Sequence, residues 1–188
     1  MRQWHVLLAG AIFLILGACA STAAGTPQEP TTGEWDPRTV SPAWLELLLT
    51  DLADTEPVAA AIDLDGAAAS ERFSGRVEEK GNTTWYRDEE TGGYFVSEHV
   101  GCTPEGVHVF RLDACYGGSG VFASLIFVTH QEDRVVSCDG RRRRHVLRSL
   151  GEHPLGDRFA GTVSLKGNTV TISRHDGTEE EVALQGLK

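Results

Sequence analysis

The 188-residue sequence has few basic residues and no apolar run long enough to cross a bilayer. Lysine and arginine number 17 against 27 aspartates and glutamates, which gives a formal net charge of −10 at pH 7. Such an acidic chain argues against general nucleic-acid binding and against binding along an anionic membrane. The apolar run at residues 6–16 falls well short of the roughly 20 residues that a transmembrane helix needs.

The sequence also lacks the short motifs of common catalytic and cofactor sites. It contains no phosphate-binding loop, dinucleotide fingerprint or His-Glu-x-x-His zinc motif. The glycine-rich stretch around Ser119 approaches the Gly-x-Ser-x-Gly nucleophile motif, but Val121 stands where the last glycine is required. A tight turn between two strands is therefore the favoured interpretation. We expect a protein that is not an enzyme and that holds no cofactor.

The amino-terminal residues have the layout of an export signal. Arg2 supplies a positive charge, residues 6–16 form an apolar core of signal-peptide length, and two small residues precede Cys19. The stretch Leu16-Gly17-Ala18-Cys19 resembles the lipobox of bacterial lipoproteins. The resemblance implies that residues 1–18 are removed and that Cys19, now the amino terminus, carries fatty acyl chains.

The position of the anchored protein follows from the same resemblance. Two or three acyl chains on one residue suffice for stable attachment, at about 0.8 kcal/mol per buried methylene. In such lipoproteins from bacteria with two membranes, an aspartate after the cysteine favours retention at the inner membrane. Ala20 stands there, which implies the periplasmic face of the outer membrane. The alternative is an ordinary secretory signal, because Ala18-Cys19-Ala20 also fits the small-x-small cleavage rule and would remove Cys19.

The chain after the signal divides into a tether and one domain. Residues 19–40 consist mostly of Ser, Thr, Ala, Gly and Pro, which predicts a flexible tether. Residues 41–188 suffice for a single domain with its own core.

An amphipathic helix is predicted at the start of this domain. Ser41 and Pro42 are typical of an N-cap and a first helical position. The apolar residues that follow recur at helical spacing: Trp44, Leu45, Leu48, Leu49 and Leu52. We expect this helix to pack on a sheet and to end before Pro57. Residues 58–69 are predicted to form a second short helix or a loop.

From Phe73 onward the sequence predicts about eight short antiparallel strands separated by glycine-containing turns. The clearest hairpins are centred on Lys80-Gly81-Asn82 and Lys166-Gly167-Asn168. Residues 121–128 are nearly all apolar, which predicts a central strand that is buried on both faces. The predicted fold is mainly β, an antiparallel meander forming a sandwich or small barrel with one or two N-terminal helices.

One hairpin allows a prediction of strand register. If Pro104 and Glu105 form a two-residue loop, Glu98 falls opposite Arg111. The same register places Val100 opposite Val109. It also makes His99 and His108 diagonal neighbours on one face.

His130 joins these two histidines only if the turn after Cys115 has three residues. Three histidines could bind zinc or copper, so a His-rich metal-binding protein stays open as an alternative. The favoured interpretation is that no metal is bound.

Three cysteines remain after Cys19, so at most one disulfide can form within the chain. The predicted register puts Cys102 and Cys115 at opposite ends of neighbouring strands, roughly 25 Å apart. We therefore predict a disulfide between Cys138 and either Cys102 or Cys115.

The only basic block is formed by four successive arginines: Arg141, Arg142, Arg143 and Arg144. We interpret it as a candidate contact for an anionic envelope component or an acidic partner protein. The alternative is a solvated strand edge whose charges prevent edge-to-edge pairing.

Together these observations predict a lipid-anchored cell-envelope protein with a non-catalytic binding or structural role. A β-barrel lipoprotein that carries a small apolar ligand is the second hypothesis, and it requires a deep closed cavity.

Overall fold

The computed structural model describes residues 35–49, 59–70, 75–137 and 140–187. The described residues belong to one compact unit that begins at Trp35. The lipobox-like stretch, residues 50–58 and Cys138 lie outside the described part. Within that part, no helix has both the length and the apolar character needed to cross a membrane.

Two short helices and ten strands make up the described residues. The helices are α1 (Pro42–Glu46) and α2 (Leu64–Ala68), and a single 3-10 turn at Pro37–Thr39 precedes them. The strands are β1 (Ala61–Asp63), β2 (Arg76–Lys80), β3 (Thr83–Arg87), β4 (Tyr94–Cys102), β5 (Val107–Cys115), β6 (Phe122–Ser137), β7 (Gly140–Asp157), β8 (Gly161–Lys166), β9 (Thr169–Arg174) and β10 (Glu179–Ala183).

The strands form two antiparallel sheets. A seven-stranded sheet has the order β1-β7-β6-β5-β4-β3-β2, and a three-stranded sheet has the order β10-β9-β8. In both predicted hairpins a two-residue Gly-Asn turn joins the strands directly. Lys80 lies opposite Thr83 in the first hairpin, and Lys166 lies opposite Thr169 in the second. The predicted mainly-β antiparallel fold with short N-terminal helices is confirmed. β1 and most of β7 were not predicted from the sequence.

The large sheet is covered on both faces, so it separates two apolar cores. On one face, the N-terminal helical segment contributes Leu45, Leu48 and Leu64, which pack against Phe110 and Ile126 of the sheet. On the other face, side chains of the small sheet pack against Val109, Leu125 and Phe127. The apolar run at 121–128 lies largely in β6, between β5 and β7, as its composition predicted.

The domain begins earlier than Ser41. Val40 is 1 % exposed, and Trp35 packs against the core on the helical face. The tether predicted for residues 19–40 therefore does not extend to its predicted carboxyl end, because residues 35–40 are part of the folded unit. Of the predicted helical stripe, Leu45 and Leu48 are buried, and Trp44 and Leu49 are partly buried against the same core. The helix itself covers only Pro42–Glu46.

The predicted β4–β5 register is correct on one side of a bulge and wrong on the other. Glu98 lies opposite Arg111 as predicted, but Gly101, not Val100, lies opposite Val109. The extra residue is accommodated at the register shift between His99 and Gly101.

The cause of the shift is the length of the loop. Thr103 N donates to the carbonyl of Val107 at 2.8 Å, which leaves residues 104–106 as a three-residue loop. Gly106 closes it with φ +83°, a conformation that favours glycine. A loop one residue longer than predicted displaces the register by one, and the bulge then restores it.

β7 was missed because its glycines and proline are typical of turns. In the sheet Gly151, Pro154 and Gly156 lie at or beside bulges: the register between β6 and β7 shifts at Phe127/Val128 and at Ala123/Ser124. Gly151 and Gly156 take positive φ values of 141° and 103° at these places. A strand can therefore continue through residues that would end a regular one.

The β6–β7 hairpin extends beyond the rest of the sheet. The last β5–β6 pair is Val107 with Thr129, and the last β1–β7 pair is Asp63 with Val146. Past these pairs, within the described part of the chain, β6 and β7 pair only with each other. We call residues 130–137 and 140–145 the arginine arm, since they include Arg134 and the predicted arginine block.

Candidate functional site

Four neighbouring strands each contribute one histidine to a cluster on the helical face of the large sheet. His99 Nε2 lies 3.2 Å from His108 Nδ1, which joins β4 to β5. His130 Nε2 lies 2.9 Å from His145 Nδ1, which joins β6 to β7. A neutral imidazole has one donor and one acceptor nitrogen, so each pair forms one hydrogen bond while both rings are neutral.

Trp35 connects the two histidine pairs. Its ring stacks on His130 with centroids 4.2 Å apart and planes 9° apart. The same ring also lies edge-on to His108, with centroids 4.7 Å apart. The indole Nε1 is buried and has no hydrogen-bond partner among the described residues. We call Trp35 and the four histidines the tryptophan–histidine cluster.

The residues that follow Trp35 are fixed locally. The Asp36 carboxylate accepts hydrogen bonds from the backbone and the guanidinium of Arg38, at 2.9 Å and 2.7 Å. These bonds lower the pKa of Asp36 to about 2. The carbonyl of Arg38 in turn accepts a hydrogen bond from Thr84 Oγ1 of β3 at 3.1 Å. The first described segment is thus attached to the sheet at Trp35 and again at Arg38.

The electrostatics of the cluster favour neutral imidazoles. Burial lowers the pKa of His99, and burial together with the neighbouring His99 and His130 lowers the pKa of His108 to about 4. Burial, then the proximity of His145, lowers the pKa of His130. At pH 7 these three rings are therefore uncharged and form hydrogen bonds within their pairs.

The arrangement brings together two of the three predicted histidines directly and the third through Trp35. Ala114 pairs with Phe122, so the connection between β5 and β6 contains seven residues, 115–121. An odd number of connecting residues pairs His108 with Val128, and His130, two residues farther along β6, therefore lies on the same face as His108. His130 makes its hydrogen bond to His145, which the sequence did not indicate. Among the described residues, no group of three or more His, Cys, Asp or Glu side chains is arranged to hold a metal ion.

Cys102 and Cys115 are free thiols at opposite ends of the β4–β5 pair, as the predicted register required. Cys102 Sγ lies 3.6 Å from His108 Nε2, and burial raises the pKa of its thiol. Cys115 is buried and its thiol donates to the carbonyl of Gly118 at 3.4 Å. Cys138 lies outside the described residues, so its predicted pairing stays a prediction.

The arginine block lies on β7, in the arm, and its members differ in their surroundings. Arg144 forms ion pairs with Asp133 at 2.9 Å and with Asp63 at 3.4 Å, so it joins the arm to β1. Arg143 is more than half exposed and lies 3.5 Å from Glu132. Arg142 is exposed opposite Val135; Arg141 is placed opposite Val136, and its side chain is not described.

Sequence reasoning missed the two residues that complete the site on either side. Trp35 was assigned to the tether, although an aromatic residue in a segment of small and polar residues was a signal. His145 follows the arginine block in a strand that was not predicted.

No family model matches this chain, and no curated protein or solved structure shows a significant match to it.

Proposed function

We propose that this chain is a lipid-anchored protein of the bacterial cell envelope whose β domain has a binding or structural role and catalyses no reaction. The observation that carries the proposal is the lipobox-like Leu16-Gly17-Ala18-Cys19, close in sequence to the start of the folded unit at Trp35. Acyl chains on Cys19 would attach this unit to a membrane surface.

The attachment of Trp35 to the sheet supports this role. A chain that is anchored at one end transmits force to the first residue of the domain that it holds. Trp35 contacts histidines of β5 and β6, and each of these pairs with a histidine of the next strand outward. A load that arrives at Trp35 is therefore shared by four strands.

The chemistry of the cluster favours a structural use of its histidines. They are hydrogen-bonded in pairs, and His108 and His130 pack against the indole of Trp35, so they stabilise the N-terminal segment. The exposed arginine arm is the better candidate for contact with a partner, which we propose to be an anionic envelope component or an envelope protein. Ala20 after the cysteine supports the periplasmic face of the outer membrane where the cell has two membranes.

Replacement of the acylated cysteine tests the anchor. We expect Cys19→Ser to abolish the incorporation of labelled fatty acid and to reduce the amount of protein in the membrane fraction. Cys102→Ser, which removes an exposed thiol of the folded domain, is the matched control and should change neither. The proposal fails if the natural protein is found free in the periplasm or medium, begins after residue 20 and carries no acyl mass.

A further inference from the structure

The arginine arm has a charge opposite to that of the rest of the chain. From His130 to His145 the sequence has five arginines against three carboxylates, a formal charge of +2 in a chain of −10. An anionic surface would repel the acidic body of the domain and attract the arm. The charge distribution thus gives the domain a preferred orientation, with the arm toward the negative surface.

One face of the arm carries three arginines, Arg134, Arg141 and Arg143, and among its described residues one carboxylate, Glu132. Arg134 lies directly opposite Arg143, and the next pair on the same face is Val136 with Arg141. Like charges opposite each other on neighbouring strands are unfavourable, and a bound anion would relieve the repulsion. Among the described residues, Arg134 forms no ion pair, and Arg143 has only the long contact with Glu132.

The same face ends in an exposed apolar residue. Val136 is 76 % exposed, the largest exposure among the large apolar side chains of the described residues. Arginines beside an exposed apolar side chain suit the boundary between lipid headgroups and acyl chains. There each guanidinium can bind two oxygens of a phosphate, while the apolar side chain contacts the acyl region. This combination distinguishes a membrane surface from a purely polar anionic partner.

The anchored end of the domain lies at the base of this face. Trp35 stacks on His130, which shares the face with Arg134 and Val136. The arm from His130 to Val136 is about 20 Å long at roughly 3.3 Å per residue. If the residues between Cys19 and Trp35 form the flexible tether that the sequence predicts, a spacing of 16 residues has a root-mean-square span of about 20–24 Å. Because the length of the arm and the span of the tether are similar, the tether would hold the domain at a height where the tip of the arm reaches the membrane.

We infer that the arginine arm docks on anionic phospholipid headgroups of the membrane that carries the anchor, through Arg134 and Arg143, with Val136 at the boundary of the acyl region. The inference rests on the proposed lipid anchor, and it names the surface that the anchored domain contacts.

Hydrogen exchange of the acylated full-length mature protein tests the inference. The protein is reconstituted into vesicles of phosphatidylcholine alone and into vesicles that also contain phosphatidylglycerol. We expect amides of residues 130–145 to exchange about tenfold more slowly on the anionic vesicles, since each arginine near such a surface contributes on the order of fivefold in binding. The paired substitution Arg134→Gln/Arg143→Gln should abolish the difference.

The chain offers a matched control at the opposite edge of the same sheet. Arg76 and Arg87 are likewise directly opposite each other and exposed. Arg76→Gln/Arg87→Gln should leave the slowing in the arm intact. Core amides of β5 and β6 report whether each variant is folded.

The outcomes separate the inference from the anchor. Protein that dissociates from neutral vesicles contradicts the lipid anchor. Protein that stays on both kinds of vesicle, with equal exchange in the arm, contradicts docking and leaves the anchor in place. Equal slowing by inorganic phosphate on neutral vesicles would identify an anion site, not a membrane contact, and would also overturn the inference.

Discussion

The indole ring of Trp35 lies flat against the imidazole of His130, with centroids 4.2 Å apart. This contact packs the first described residue against the sheet, so Trp35→Ala should lower the free energy of unfolding by about 2–3 kcal/mol. The loss is smaller than for replacement of a fully buried tryptophan, because Trp35 is only partly buried. Removal of the indole also exposes His130, whose pKa should rise toward its ordinary value. Denaturant unfolding and imidazole NMR titration measure the two effects.

Trp85→Ala is the matched control for this prediction. Trp85 is also partly buried and stacks on Tyr94, but it lies on β3. Its loss should reduce stability without changing the titration of His130. An unchanged His130 titration in Trp35→Ala would show that the indole does not shield the ring.

Stability should fall as the pH drops below about 6.5. The pKa values of His99, His108 and His130 are lowered in the folded state, so the unfolded chain takes up protons first on acidification. Each proton that binds preferentially to the unfolded chain reduces the free energy of unfolding. For His108 the loss is complete near pH 4, the value to which its pKa is lowered.

Other charges around the cluster modify this dependence. Asp36 favours and Arg38 opposes the protonation of His99, while Glu132 favours that of His130. Thermal unfolding of single-histidine variants between pH 7 and pH 4 would measure the contribution of each histidine. His108→Gln should flatten the profile, and His175→Gln, in an exposed turn, should leave it unchanged. Equal slopes in the two variants would contradict the assignment.

The parts of the fold that depend on local sequence were predictable. The two Gly-Asn hairpins need only their own turn residues, and the run at 121–128 indicates its central position by composition alone. The position of Trp35 depends on contacts with residues far along the chain. No local pattern specifies such contacts, and for this reason the histidine pairs were recognised only in part.

The register of β4 and β5 illustrates a second limit. A loop of two residues and a loop of three both fit Thr103-Pro104-Glu105-Gly106, and the hydrogen bond from Thr103 N to the carbonyl of Val107 distinguishes them. An error of one residue in the loop length placed Val100 opposite Val109, where the structure has Gly101. The side-chain pairs beyond the bulge are unaffected, which is why Glu98 and Arg111 were matched correctly.

Gly106 gives a third prediction. Its φ of +83° is costly for any residue with a Cβ, so Gly106→Ala should destabilise the protein by about 1 kcal/mol. The space around a Cβ at this position is open, so the cost comes from the backbone alone. Gly118→Ala is the control, since its site is equally open and its φ is not positive. Similar unfolding midpoints for the two variants would refute the three-residue loop.

Arg144 gives a fourth prediction through its contacts with Asp133 and Asp63. Arg144→Gln should lower the thermal midpoint more than Arg142→Gln, because only Arg144 joins the arm to β1. Arg144 also lowers the pKa of Asp133 through a hydrogen bond, so the difference should shrink as Asp133 becomes protonated in acid. High salt should reduce it as well. A larger effect of Arg142→Gln would mean that these ion pairs do not hold the base of the arm.

The state of the thiols follows from strand lengths. Cys102 pairs with His108 of β5, which in turn pairs with Val128 of β6. Ser137, the residue before Cys138, lies nine residues farther along β6 than Val128. That separation is about 30 Å at roughly 3.3 Å per residue. A disulfide needs Cα atoms within about 7 Å, far less than this separation between Cys102 and Ser137.

Cys115 is farther still from Ser137, because it lies beyond the other end of β6, next to the pair of Ala114 with Phe122. Non-reducing peptide mass mapping of the monomer tests the two bridges predicted from the sequence, both of which involve Cys138, outside the described residues. Maleimide should label Cys102 in the folded protein, whereas Cys115, buried beside Gly118, should react only after unfolding. Recovery of either bridge from the monomer would mean that the arm folds back on the sheet. That result would also remove the geometry on which its contact with the membrane depends.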